Sequence, residues 1–310
     1  YDENALPLVE ATSLVQAMAQ LYSSQGQISE AKKLLLNFIE KAESSPKPVP
    51  GMHNVYAITA LIYASEKDYD FAYDYINLAI SLSSAFREDW YQLKFAIEYN
   101  REDYLNAEIS AKELLLNKPE NKRYYVQLSA IYNILEKYDL SLATIEVSYM
   151  KGLLEKPEEF TNLASFYLYK QNPAMSARVL ETALSNNNIE FDKANAKLLS
   201  DAWLFAKERS RSLEVIGRSL DDDPKDEKLI KQYINIAFSA FNWDEVINGI
   251  NRANINGIED DGKHALMIGI AFFEKKNLKK AEASFIDASK SKKYADQGKA
   301  WLEYLNALNG

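Results

Sequence analysis

A hydrophobic or aromatic residue followed three places later by a small one returns eight times along this chain, about every 35 residues. The first members are Ile28, Tyr69, Tyr104, Tyr138, Pro173, Arg209, Trp243 and Leu278, at counted spacings of 41, 35, 34, 35, 36, 34 and 35 residues. Their partners are Ala31, Ala72, Ala107, Ser141, Ser176, Ser212, Val246 and Ala281, and four residues further on stand Leu35, Ile76, Ala111, Ile145, Leu180, Ile216, Ile250 and Phe285. Pro173, Arg209 and Val246 depart from the pattern without breaking its period. A period of this length marks a repeat array, in which each unit buries its apolar face only against its neighbours.

A second set of pairs precedes the first: Ala19 with Tyr22, Ala60 with Tyr63, Ser129 with Tyr132, Ala164 with Tyr167, Ser200 with Trp203, and Gly269 with Phe272. Three-residue spacing puts both members on one helical face. Each unit therefore reads as two antiparallel helices, with a small side chain admitting the partner helix and a large one filling the space beside it. In the third unit the first helix, which starts near Trp90, reads as one residue longer. This pattern resembles the tetratricopeptide repeat. The resemblance implies an all-α, right-handed superhelical solenoid over residues 1–310, with helix–turn–helix repeats at 12–52, 53–87, 88–121, 122–156, 157–192, 193–226, 227–261 and 262–294. The stretch ADQGKAWLEYLNAL has apolar residues at helical spacing and no partner after it, so 295–308 is expected to be the terminal capping helix.

The long first unit owes its excess to SSPKPVPG at 44–51, whose three prolines and glycine cannot continue a helix. It reads as an extended loop, with a hinge as the alternative. Later connections contain NKPEN, EKPEE, NNN, DDDPKDE and NGIEDDGK, where acidic residues ahead of helix starts would cap free N–H groups.

The formal charge is −9, from 36 basic and 45 acidic residues. That balance disfavours nucleic acid and anionic membranes, which need clustered Lys and Arg. The longest apolar run, ALMIGIAFF at 265–273, has nine residues, far below the roughly 18 to 20 that span a bilayer. Zero cysteines exclude disulfides, thiolate metal sites and cysteine nucleophiles. Tyr1 in place of an initiator Met raises the expectation of an upstream segment, with a secretory signal as the natural candidate.

Catalysis finds no residues to carry it. His53 and His264 lie six repeats apart, and there is no phosphate-cradling Gly-rich loop, GxSxG elbow or HExxH. Asp221, Asp222, Asp223 and Asp226 lack the central Gly and terminal Glu of a calcium loop, so they read as a solvated connection. No metal or cofactor is expected. The site of interest is the concave groove that first helices line in this fold. Projection places Asn133, Tyr169, Phe205, Phe238 and Phe273 towards it, with Lys197, Asp201, Lys231, Asn235 and Lys263 beside them. Aromatic anchors among polar groups suit a peptide or partner helix. The competing reading of these rings is ordinary packing between repeats. A two-carboxylate clamp of the kind that grips chaperone C-termini fits poorly: Lys231 and Asn235 match two places, and Met267 stands where an Asn is required.

The stretch RYYVQLSAIYNILEKYDLSLATIEVSYMKGLLEKPEEFTNLASFYLYKQNPAMSARVLETAL, 123–184, is similar to the periplasmic repeat protein of some TonB–ExbB–ExbD systems. The likeness extends through LLSDAWLFAKE, the Trp243 helix and KAWLEYL, and reaches back to the Trp90–Tyr104 helix, spanning roughly 52–308. It implies a non-enzymatic periplasmic scaffold contacting TonB, ExbB or ExbD and supporting iron or siderophore uptake. A cytoplasmic regulatory module that captures a peptide or partner helix is the alternative.

Overall fold

A computed structural model describes residues 7–309. Among these residues it contains 17 helices and no strand. They fall into two compact units divided between Leu154 and Glu155, which is the junction of the fourth and fifth repeats. In the first unit the pairs are α1 (Leu8–Ser24) with α2 (Ile28–Glu43), α3 (Met52–Ser65) with α4 (Tyr69–Ser81), α5 (Glu88–Asn100) with α6 (Tyr104–Asn117), and α7 (Lys122–Ile134) with α8 (Tyr138–Met150). In the second they are α9 (Pro157–Tyr169) with α10 (Pro173–Ser185), α11 (Lys193–Phe205) with α12 (Arg209–Asp222), α13 (Glu227–Ser239) with α14 (Trp243–Ile255), and α15 (Lys263–Glu274) with α16 (Leu278–Ser289). A single helix, α17 (Ala295–Asn309), follows.

The periodic residues mark one structural position. All eight, from Ile28 to Leu278, are the first residue of the second helix of a pair. The eight small partners three places on, from Ala31 to Ala281, are all 0% exposed. They sit where the second helix meets the first, and a larger side chain would force the two axes apart. Of the residues four places further, only Ile145 is half-buried; the others lie in the core.

Every pair is joined by a three-residue turn of one design. Its middle residue has positive φ in all eight repeats: Gly26, Lys67, Glu102, Glu136, Gln171, Lys207, Phe241 and Lys276, at 56° to 76°. The third turn residue donates its N–H to the carbonyl five residues back, as in Gln27 to Tyr22, Lys137 to Tyr132 and Asn277 to Phe272, at 2.7–2.8 Å. This is the Schellman closure, which satisfies carbonyls left over at a helix end. Helix starts are capped by side chains at Asp103, Asn121, Asn172, Asp192, Asp226, Asn242 and Asn277. Asp226, taken from the DDDPKDE run, is thus a cap, and it is also paired with Lys193.

Contacts also recur one repeat apart. Arg101, at the end of α5, reaches Asp70 at the start of α4 at 3.0 Å, and Lys275 after α15 reaches Asp244 at the start of α14 in the same way. Such exposed pairs add little stability, but they repeat the register in which neighbouring units stack. At the end of the second unit α17 caps the array: Trp301 stacks on the fully buried Phe285 at 5.1 Å, and Leu305 is buried beside them.

Two expectations are corrected. Helix α1 begins at Leu8, four residues before the expected start of the first repeat. Helix α5 has 13 residues, as many as α7, so the third repeat has no insertion. The apparent extra residue came from two substitutions in register: Phe95 fills the small-residue slot and Glu98 the aromatic slot. Both are buried. The seventh repeat shows a milder exchange of sizes, with Ile234 in the small slot and Ala237 in the aromatic one.

Candidate functional site

Of the ten residues expected to face the groove, Asn133 belongs to the first unit, where it is exposed on α7. The other nine lie in the second unit. Tyr169 and Phe205 are each the last residue of a first helix, in the same register of adjacent repeats. Their rings are 70% and 69% exposed. The next two aromatics behave differently. Phe238 is half-buried and meets Trp243 edge-on at 5.7 Å, and Phe273 is half-buried against Trp301 at 5.2 Å and Tyr304 at 5.8 Å. These two do the packing that was the competing reading: they stand five residues before the next helix, one place earlier than Tyr169 and Phe205, in the slot that holds the half-buried Leu168 and Leu204 in other repeats.

The polar residues of the set are engaged with one another or with near neighbours. Lys197 bonds Asp201 at 2.5 Å, Lys231 bonds Glu227 at 2.5 Å, and Lys263 donates to the Asn235 carbonyl oxygen at 2.6 Å. The last contact links α13 to α15 and holds Asn235 and Lys263 together. Around Lys231 and Asn235 lies an open groove of about 510 Å³, completed by Leu204, Lys228, Gln232, Ile236 and Ser239. Lys228 was not anticipated, and it escaped because it lies three residues before Lys231, on the first turn of α13, where a lysine reads as solvent-facing.

Lys228 and Lys231 supply the groove's basic groups, and Lys231 is bonded to Glu227. His264 is buried at the start of α15 with Nε2 3.2 Å from Asp260. Burial pushes its pKa below the ordinary imidazole value; Asp260 opposes that shift, and Lys263 and Lys231 add smaller downward ones. A second cavity, of about 730 Å³, lies among α10, residues 187–191 and α12. Its lining mixes Arg211 and Arg218 with Glu181, Glu190 and Glu214, so neither sign of charge dominates. Among the described residues no group of three or more acidic or histidine side chains is placed to hold a metal, and no helix is long and apolar enough to cross a membrane.

Eight helix pairs at one period, closed by one turn and capped by a single helix, define an array of tetratricopeptide-type repeats. No family model matches the chain, and no curated protein matches it by sequence. Among solved structures it is similar to a tetratricopeptide repeat protein from Parabacteroides merdae, at 13% identity and a TM-score of 0.40 over 82% of this chain and 98% of that one. It is similar also to the C-terminal part of a repeat protein from Cytophaga hutchinsonii, at 12% identity and a TM-score of 0.45 over 91% and 98%. A third is YrrB, described as a repeat protein with an unusual peptide-binding site, at 17% identity and a TM-score of 0.42 over 59% and 86%. Likenesses at this level say nothing of this chain's own ligand.

Proposed function

We propose that this chain is a non-enzymatic protein–protein interaction scaffold that takes a peptide or partner helix on the first-helix face of its second unit. The observation that carries this reading is the pair of exposed rings, Tyr169 and Phe205, in one register of adjacent repeats. A free aromatic ring is a costly surface group that gains when a partner covers it. Lys228, which lines the neighbouring groove beside the Glu227-bound Lys231, favours a segment carrying a carboxylate, because the pair would gain charge-assisted hydrogen bonds.

Selection of random peptides on the intact chain tests this. Wild-type protein should enrich sequences that combine an apolar or aromatic residue with Asp or Glu. A Tyr169→Ala, Phe205→Ala variant and a Lys228→Ala, Lys231→Ala variant should each lose that enrichment. Equal enrichment by all three proteins would remove the site from this face.

A narrower proposal rests on the sequence resemblance over 52–308: a periplasmic accessory of a TonB–ExbB–ExbD complex that supports iron or siderophore uptake. Its test is direct binding of the purified chain to the periplasmic domains of TonB and ExbD. Saturable binding that the Tyr169→Ala, Phe205→Ala variant weakens would support it, and no binding to either domain would leave the cytoplasmic peptide-capturing module as the better assignment.

A further inference from the structure

The larger cavity of the second unit, about 730 Å³, is built on other side chains than the lysine groove. One wall is α12, where Arg211 and Arg218 stand seven residues apart on one helix face with Val215 between them, about 10 Å along the axis. Each guanidinium lies over a ring: Arg211 over Trp203, 4.3 Å from its centroid, and Arg218 over Phe191, at 3.8 Å. Both rings are held in turn. Trp203 is buried and donates its indole N–H to Oε1 of Glu181 at 3.0 Å. Phe191 belongs to the seven-residue connection 186–192, which is anchored by buried Ile189 and by the Asn195 side-chain amide, bonded to the Glu190 carbonyl oxygen at 2.9 Å.

The repeat architecture does not require this pair. Of the eight second helices only α12 has a cation at both its third and its tenth residue; α10 has Met175 and Thr182 there, and α14 has Glu245 and Arg252. Arg252 donates to the Leu220 carbonyl oxygen at 3.1 Å, whereas among the described residues no hydrogen bond or ion pair reaches Arg211 or Arg218. Stacking covers the face of a guanidinium and leaves the N–H groups of its edge free to donate.

Acids of the same cavity stay unpaired as well. Glu190 and Glu214 line it, and among the described residues their carboxylates make no hydrogen bond or ion pair, although Glu214 lies three residues after Arg211 and four before Arg218. The stacked rings fix the two forks where these acids do not reach them. Leu184, Ile189, Leu199 and Val215 supply apolar surface beside them. A wholly anionic ligand would face three carboxylates here and a wholly cationic one two guanidiniums, so the lining complements a ligand that carries both signs of charge. The volume exceeds that of one amino acid and suits a segment of a few residues. We propose that this cavity takes a peptide segment of a partner protein in which an acidic and a basic residue flank an apolar one. The acid meets the forks of Arg211 and Arg218, the base meets Glu190 and Glu214, and the apolar side chain lies over Val215.

The test is isothermal titration calorimetry of the full chain with the peptide Gly-Glu-Leu-Lys-Gly, acetylated and amidated, beside forms in which its Glu or its Lys is replaced by Gln, and beside the free dipeptide Leu-Leu. The parent peptide should bind at least about tenfold more tightly than either neutralised form. An Arg211→Gln, Arg218→Gln variant should lose about tenfold for the parent and nothing for the form that lacks Glu, the coupling expected of a direct contact. A Glu190→Gln, Glu214→Gln variant should behave likewise towards the form that lacks Lys. Should the arginine pair lower the Tm, Arg211→Lys with Arg218→Lys takes its place; it keeps the charge, removes the fork and should lose about threefold. Tyr169→Ala, Phe205→Ala should leave binding unchanged, which separates this cavity from the first-helix face. No heat from the parent at millimolar peptide, equal affinity for the three capped peptides, or full affinity without both arginines would overturn the proposal. So would tighter binding of the form that lacks Lys, which would make this a plain anion site, or binding of Leu-Leu as tight as the parent, which would make a free small zwitterion the ligand.

Discussion

Glu98 should make the third repeat more stable in acid than at neutral pH. Its side chain is 0% exposed and stands in the slot that other repeats fill with Tyr63, Tyr132, Tyr167 or Trp203. No hydrogen bond of good geometry reaches either carboxylate oxygen or the buried hydroxyl of Ser110, although Ser110 stands near enough to act on the carboxylate. Lys94 is the nearest cation, 3.8 Å from Oε1. Burial raises the pKa of Glu98 above the ordinary value of 4.5; Asp103 pushes the same way, and Ser110 and Lys94 pull against it less strongly. A carboxylate whose pKa is higher folded than unfolded binds its proton more tightly in the folded chain. Its ionised form therefore destabilises the fold above the folded pKa, and that loss is recovered as the pH falls through it. Replacing a buried charge that lacks good partners with a neutral group of similar volume typically gains about 1–3 kcal/mol. Glu98→Gln should gain that amount at pH 7.5, measured by urea unfolding, and the gain should shrink as the pH falls below the folded pKa and the wild-type group takes up its proton. Native-state hydrogen exchange should place the change in α5 and α6, because stability in a repeat array is a nearest-neighbour quantity. A gain of the same size at both pH values, or a loss at pH 7.5, would refute the reasoning. The size exchange with Phe95 adds a coupled expectation: Phe95→Ala and Glu98→Tyr together should be more stable than the sum of the single effects, since each alone leaves a cavity or an overpacked site.

Two mid-helix glycines should respond oppositely to alanine. At Gly269 an added Cβ would lie 2.5 Å from the ring of Phe285, which is clamped under Trp301, so Gly269→Ala should cost about 1–3 kcal/mol in thermal unfolding. At Gly217 the nearest atom is 3.5 Å away, an ordinary contact, and the same change should gain up to about 1 kcal/mol of helix propensity. The shared turn predicts that Lys207→Gly, at φ 63°, gains about 1 kcal/mol, while Gly26→Ala, at φ 76°, loses a similar amount. Trp301→Ala should cost about 2–3 kcal/mol, with lost hydrogen-exchange protection confined to α15, α16 and α17.

The period marks every second helix, because the position three places into that helix takes a small side chain, or at most Val246, and the chain repeats that constraint eight times. Other features left weaker marks. The left-handed turn residue is glycine once, at Gly26, and otherwise Lys, Glu, Gln or Phe; the Schellman closure and the packing on either side hold that conformation, so composition does not announce it. The third repeat was misread because Phe95 and Glu98 invert the sizes and polarity expected of their slots, and a one-residue shift onto Ala96 and Tyr99 imitated the pattern. In the groove, Tyr169 and Phe205 stand four residues before the next helix, whereas Phe238 and Phe273 stand five before theirs, and that one-residue difference in register, legible in the sequence, turns the latter two towards Trp243 and Trp301.

The same division explains where function can reside in such a chain. Inward positions are fixed by the approach of one helix to the next, so Ala31 and Ala281 have the same surroundings seven repeats apart and carry no information about partners. Outward positions are free of that constraint, and there the two units differ. The first leaves apolar side chains such as Ile109 and Leu116 exposed on α6, whereas the second leaves the rings of Tyr169 and Phe205 exposed at the ends of α9 and α11. Such outward differences, and not the repeated inward positions, are where partner choice can be written.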